Sequence, residues 1–81
     1  MIVKYPHAVN VVPRAGYKLL ITFDNGERRL FDVSPYISGS WFGELRDEQF
    51  FSSVRLDGHT VVWPNGQDIA PHELFECSVP A

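Results

Sequence analysis

Cysteine is nearly absent from this chain: Cys77 stands alone among 81 residues. No internal disulfide can form, which excludes the small, disulfide-stapled secreted class. Long apolar runs are missing too. No stretch approaches the ~20 residues that a membrane-spanning helix requires. The opening Met1-Ile2-Val3-Lys4-Tyr5-Pro6-His7 lacks the apolar core of a signal peptide. A cytoplasmic location with no membrane association is therefore expected. Positive charge is scarce, with seven Lys and Arg against ten Asp and Glu, a net charge of −3 and a pI near 5.4. Only Arg28 and Arg29 adjoin, so direct nucleic-acid binding is not expected. The chain also has no Gly-rich phosphate cradle, and Asp24-Asn25-Gly26 lacks the spaced oxygen ligands of a calcium loop.

What is present suits one small domain, residues 1–81. Aromatic residues make up 14% of the chain, and aromatics bury the most area per residue in a small core. A core of this size supplies only about 3–5 kcal/mol, so self-association is a natural expectation. No internal repeat, charge block or low-complexity linker stands out.

Turn chemistry divides the chain into short elements. Ala8 to Val12 reads as a first strand stopped by Pro13. Tyr17 to Phe23 is the clearest strand, with Tyr17, Leu19, Ile21 and Phe23 on one face at period two. Asp24-Asn25-Gly26 turns the chain, and Glu27 to Val33 returns. A two-residue Asn25-Gly26 loop would set Leu19 opposite Asp32. A three-residue loop with Gly26 left-handed sets Leu19 opposite Phe31 and Tyr17 opposite Val33. The second register gathers more large apolar residues on one face and is preferred. Ser34 is the expected N-cap of a short turn or helix with Pro35 at its first position, and Gly39 ends it. Helical turns follow at 41–46 and 47–51, the second capped by Asp47, with Trp41, Leu45 and Phe50 or Phe51 forming a buried stripe. A hairpin pairs 54–56 with 60–63, Pro64-Asn65-Gly66 turns again, and a short helix runs from Pro71 to Glu76. The expected fold is α+β: a small antiparallel β-meander and hairpins with short helices packed on the sheet.

The run Phe23-Asp24-Asn25-Gly26-Glu27, then Leu30-Phe31-Asp32-Val33, Leu45…Phe50 and Val62-Trp63-Pro64-Asn65-Gly66-Gln67-Asp68-Ile69-Ala70-Pro71…Leu74-Phe75 resembles the domain of unknown function (DUF) 2442 family over nearly the whole chain. The resemblance implies a small bacterial domain, found alone or joined to a helix-turn-helix segment. It also implies, for some members, a neighbouring gene for a second small protein, an arrangement like a toxin–antitoxin pair. It supplies no catalytic residues. Ala70 departs from the Ser or Asp that often precedes Pro71 in relatives, which weakens the expected helix cap.

Candidate chemistry is thin. His72-Glu73-Leu74-Phe75-Glu76 lacks the second His, one turn on, that a zinc-protease helix needs. Cys77 has no histidine placed by the sequence to activate it. Asp24 and Asp57 are explained by turns, and Arg28 is the expected partner of Asp32. Two interaction candidates remain. Trp41, Phe42, Phe50 and Phe51 form an aromatic cluster too dense for one short segment to bury. The Trp63–Asp68 segment offers an exposed Trp over a polar loop, or else a structural turn in which Asp68 bonds local backbone N–H groups. The residues singled out for interaction are Trp41, Phe42, Phe51, Trp63, Asn65 and Asp68. No catalytic residue, metal or cofactor is expected. The expected role is a non-catalytic interaction module for a protein partner or a second copy of the chain, antitoxin-like in its most concrete form. The alternative is a small-molecule-binding or regulatory domain associated with transcriptional regulators, which requires an aromatic-lined pocket.

Overall fold

Three strands laid down by two three-residue turns form the first half of the molecule. A computed structural model describes residues 5–81; Met1–Lys4, the start of the expected domain, lie outside the described residues. Strand β1 spans Ala8–Arg14, β2 Lys18–Phe23 and β3 Arg28–Asp32. The β2–β3 register sets Leu19 against Phe31, and Val33 donates its N–H to the Tyr17 carbonyl at 2.9 Å. This is the three-residue arrangement. Gly26 sits at φ +87°, in the left-handed region that a residue without Cβ enters freely. The fold is α+β, as the pattern of elements predicts.

Two local expectations change in the meander. Pro13 does not stop β1, which continues to Arg14. Because β1 lies at an edge of the sheet, a residue with no N–H is tolerated there. Tyr17 is not the first strand residue: with Gly16 it forms the β1–β2 turn, at φ +61° and +78°. The unusual backbone of Tyr17 aims its hydroxyl at the Arg46 carbonyl, 2.6 Å away, and sets its ring edge-on to Phe51.

Short helical pieces then cross one face of the sheet. A 3₁₀ turn covers Ser34–Tyr36, a second covers Phe42–Arg46, and helix α1 spans Glu48–Phe51. Asp47 caps α1 by accepting from the Gln49 N–H at 3.0 Å, as its position predicts. Ser34 is not an N-cap: Val33 holds that position, and the Ser34 hydroxyl donates to the Asp32 carboxylate. Asp32 is thereby satisfied by Ser34, not by Arg28. Hydrogen bonds from the Ser34 hydroxyl and N–H hold its carboxyl below the usual range.

The second hairpin, β4 (Arg55–Asp57) with β5 (Thr60–Val62), forms a separate two-stranded sheet. Helix α2 spans Pro71–Glu76 and begins at Ala70 without a side-chain cap. Proline at its first turn, whose fixed φ suits a helix start, and burial of Leu74 suffice to place it. Strand β6, the Val79–Pro80 pair absent from the sequence-based expectation, lies against β3 and completes the order β1-β2-β3-β6. Arg29 explains its position. The guanidinium donates to the Ser78 hydroxyl at 2.6 Å and carbonyl at 2.7 Å, pairs with Glu27 at 3.0 Å, and lies over the Phe75 ring.

The core occupies the helix-covered side of the sheet. Leu19, Ile21, Phe23 and Phe31 meet Leu45, Phe51, Val61, Trp63, Ile69 and Leu74 there. Among the described residues no helix is long and apolar enough to cross a membrane.

Candidate functional site

The two segments singled out for interaction meet in space. The 3₁₀ turn Phe42–Arg46 lies against the turn at Trp63–Gln67, and a polar network joins them. The Trp41 indole N–H donates to the Asn65 carbonyl at 3.0 Å, and the Gln67 amide N–H donates back to the Trp41 carbonyl at 2.8 Å. Glu44 closes the set, accepting from Gln67 at 2.7 Å and from the Asn65 side chain at 3.1 Å.

This geometry follows from a turn used twice. Phe23-Asp24-Asn25-Gly26-Glu27 and Trp63-Pro64-Asn65-Gly66-Gln67 share their hydrogen bonds. The Phe23 and Trp63 N–H groups donate to the Glu27 and Gln67 carbonyls, both at 2.8 Å. The Gly26 and Gly66 N–H groups return to the Phe23 and Trp63 carbonyls, both at 2.9 Å. The glycines lie at φ +87° and +89°. Only the side chains differ in use. In the first turn Asn25 donates to Glu27 at 2.7 Å, whereas in the second Gln67 points inward and Asn65 reaches across to Glu44.

Trp41 is 49% exposed, its ring edge-on to half-buried Phe42 at 5.2 Å and so close to the turn that a Cβ at Gly66 would touch it. Trp41, Phe42 and Asn65 thus form one surface. Trp41 is not part of the buried stripe expected from its spacing; Leu45 and Phe51 are. Phe51 and Trp63 are not available to a partner. Trp63 is 0% exposed, donates its indole N–H to the Phe51 carbonyl at 2.9 Å, and packs on the Phe51 ring. The indole fills the core because β5 alternation carries its side chain inward with Val61. Asp68 is exposed and makes no side-chain hydrogen bond among the described residues, so it does not support the turn. Gln67 takes that role. It is fully buried, and its carbonyl oxygen is left without a donor.

Glu44 and Gln67 escaped the sequence reading. The repeated turn makes the backbone at Gln67 legible, but not its buried side chain, since Glu27 at the equivalent place is exposed. Glu44 carries no local signal, because its partners lie more than twenty positions away.

Elsewhere the reactive groups are dispersed. Cys77 is exposed and hydrogen-bonds no histidine among the described residues. His7 stacks on His59 with ring centres 3.7 Å apart and stands 3.7 Å from the Asp24 carboxylate. No group of three His, Cys, Asp or Glu side chains among the described residues is arranged to hold a metal. Tyr36 donates its phenol to Glu73 at 2.6 Å; that bond, together with burial, pushes the phenol up to about 12. A cleft of about 200 Å³ lies between the Pro13–Tyr17 turn and α1, with Arg14, Tyr17, Glu48 and Phe51 on its walls. It is smaller than the roughly 300–1,000 Å³ usual for small-molecule sites.

The family described as "Protein of unknown function (DUF2442)" matches residues 8–79. The chain belongs to that family. The match takes in all three sheet-forming turns and the Trp41–Gln67 network, so DUF2442 domains are the frame in which this surface is to be read. Comparison with curated proteins and with solved structures returned no match.

Proposed function

We propose that this DUF2442 domain is a non-catalytic interaction module, and that Trp41 and Phe42, seated on the Asn65 turn, form its contact surface. The observation that carries the reading is a large aromatic residue half in water yet fixed at both ends of the residue, by its indole N–H and by its carbonyl. Solvent-exposed tryptophan held in one orientation loses little entropy on contact, and such residues dominate binding energy at interfaces. The carboxylate of Glu44, held beside the Asn65 turn, favours a basic partner surface. The most concrete role is antitoxin-like: covering a small partner encoded beside it, in the cytoplasm. The small-molecule alternative is less well supported, because the cleft beside Tyr17, at about 200 Å³, is smaller than the roughly 300–1,000 Å³ of ordinary ligand sites.

Co-expression with the product of the adjacent gene tests this. A stable complex and restored growth are expected for the wild type. Trp41→Ala should fold normally yet bind at least about tenfold more weakly, a loss of about 1.4 kcal/mol or more. Absence of a complex and of growth protection sinks the antitoxin role. Undiminished binding by Trp41→Ala removes this surface from it.

A further inference from the structure

The Trp41 network fixes one exposed carboxylate, that of Glu44, without answering its charge. Every donor that reaches it is a neutral amide. Gln67 and Asn65 both donate to Oε1, at 2.7 and 3.1 Å, whereas Oε2 receives only a longer contact from Asn65, at 3.3 Å. A carboxylate accepts about four hydrogen bonds, so Oε2 keeps capacity for another donor. Among the described residues no Lys, Arg or His nitrogen stands within ion-pair distance of Glu44. Arg46, the nearest cation in sequence, is directed elsewhere. Its guanidinium donates to the Ile37 carbonyl at 3.4 Å and lies so close to Gly43 that a Cβ there would collide with it.

Asn65 brings this unanswered charge beside Trp41. Its backbone carbonyl accepts the indole N–H at 3.0 Å while its side-chain amide donates to Glu44, so one residue anchors both groups. Gln67 repeats the link from the buried side, donating to the Trp41 carbonyl and to Glu44. Trp41 remains 49% exposed, which leaves ring surface open to a ligand. An open indole and a charged carboxylate fixed on the same turn are complementary to one kind of group. That group is a planar cation, attracted by the ring face and able to donate N–H bonds to the acid. We propose that Trp41 and Glu44 together bind an arginine side chain of a protein partner, its guanidinium lying on the indole and donating to Glu44 Oε2. The proposal rests on the reading of Trp41 as the contact surface and supplies the chemistry of what occupies it. Arginine suits the pair better than lysine. A guanidinium stacks as a plane and carries its donors in a fixed fork, whereas an ammonium is a compact, strongly hydrated point charge. A nucleic acid would bring phosphates, which Glu44 repels.

The test titrates the isotope-labelled full chain with short glycine–serine peptides of equal length, carrying one central arginine, lysine or citrulline. Citrulline keeps the shape of arginine and lacks its charge. The net charge of −3 attracts any cation, so the lysine peptide measures that background. The arginine peptide should shift the Trp41 indole N–H and the Asn65 side-chain amide, and bind at least about threefold more tightly than the lysine peptide. The citrulline peptide should give no saturable shift. Glu44→Gln keeps an oxygen to accept from Gln67 and removes the charge. It should hold the melting temperature and the position of the free Trp41 indole resonance, yet weaken arginine binding by about fivefold or more. Equal affinity for the lysine or citrulline peptide, shifts away from Trp41, or binding unchanged by Glu44→Gln would each overturn the proposal. Concentration-dependent dimerisation that Glu44→Gln abolishes would do so too, by making a second copy the occupant. The co-expressed complex separates this proposal from the reading beneath it. A complex weakened by Trp41→Ala but indifferent to Glu44→Gln overturns the arginine and leaves the Trp41 surface standing. A complex indifferent to both removes the surface and the arginine site with it.

Discussion

Gln67→Glu is the substitution that the network at Trp41 makes most consequential. It changes one atom of a fully buried side chain, replacing an amide nitrogen that donates to the Trp41 carbonyl at 2.8 Å and to the Glu44 carboxylate at 2.7 Å. The charge-assisted bond contributes about 1.5–3 kcal/mol and the neutral one about 0.5–1.5 kcal/mol. The introduced carboxylate also stands against that of Glu44 with no partner of its own. An unpaired buried charge brings the cost to about 3–5 kcal/mol. A chain of this length has a total stability of about 4–12 kcal/mol, so much of it is lost. With a urea m-value near the lower end for small domains, about 1 kcal/mol/M, the midpoint should fall by about 3–5 M. Trp63, buried in the core, reports unfolding by fluorescence. The cost should depend on pH. Burial beside Glu44 raises the introduced carboxyl above its unfolded value, so the penalty is complete at neutral pH and fades as pH falls toward about 4. Exchanging both groups, with Glu44→Gln added, should restore at least about 1 kcal/mol. A midpoint within about 0.5 M of the wild type at neutral pH, or a cost independent of pH, would refute the arrangement described.

Two further contrasts test the remaining structure. Trp63→Ala should cost about 3–5 kcal/mol, because the indole is fully buried and its N–H satisfies the Phe51 carbonyl. Asp68→Ala, five positions further along the same motif, should stay within about 0.5 kcal/mol of the wild type in the same urea titration. Tyr36 should make stability fall at high pH. Its folded value lies near 12 and its unfolded value near 10. Between those values the folded chain retains a proton that the unfolded chain has lost, so the contribution is whole below 10 and gone above 12. Tyr36→Phe should remove that slope from the stability profile and cost about 1 kcal/mol at neutral pH.

The parts of this fold that were legible in the sequence are those decided locally or by one shared face. The β2–β3 register could be chosen because only one loop length brings Leu19 onto Phe31. The Asp47 cap and the Pro71–Glu76 helix follow from residues within one turn of the chain. The errors lie where distant partners decide. The polar turn Pro64-Asn65-Gly66 suggests an exposed Trp63 at the end of its strand, but the indole is claimed by the carbonyl of Phe51, twelve positions away. Two residues are too few to show strand periodicity, so β6 is visible only through the Arg29–Ser78 contacts that place it. Helical spacing places Trp41 in a buried stripe; its turn is 3₁₀, and Asn65 holds the ring at the surface.

The two prolines on the outermost strands, Pro13 in β1 and Pro80 in β6, have a consequence for the protein in crowded solution. A sheet grows into a fibre when a free edge presents an unbroken row of donors and acceptors to the next chain. Each margin of this sheet is interrupted by a residue with no proton to give, and β6 is only two residues long. Sideways polymerisation is thus hindered at both margins, although Val12, Leu20, Leu30 and Val79 align across the sheet between them. The molecule can keep its outermost strands in solvent while remaining a poor template for copies of itself.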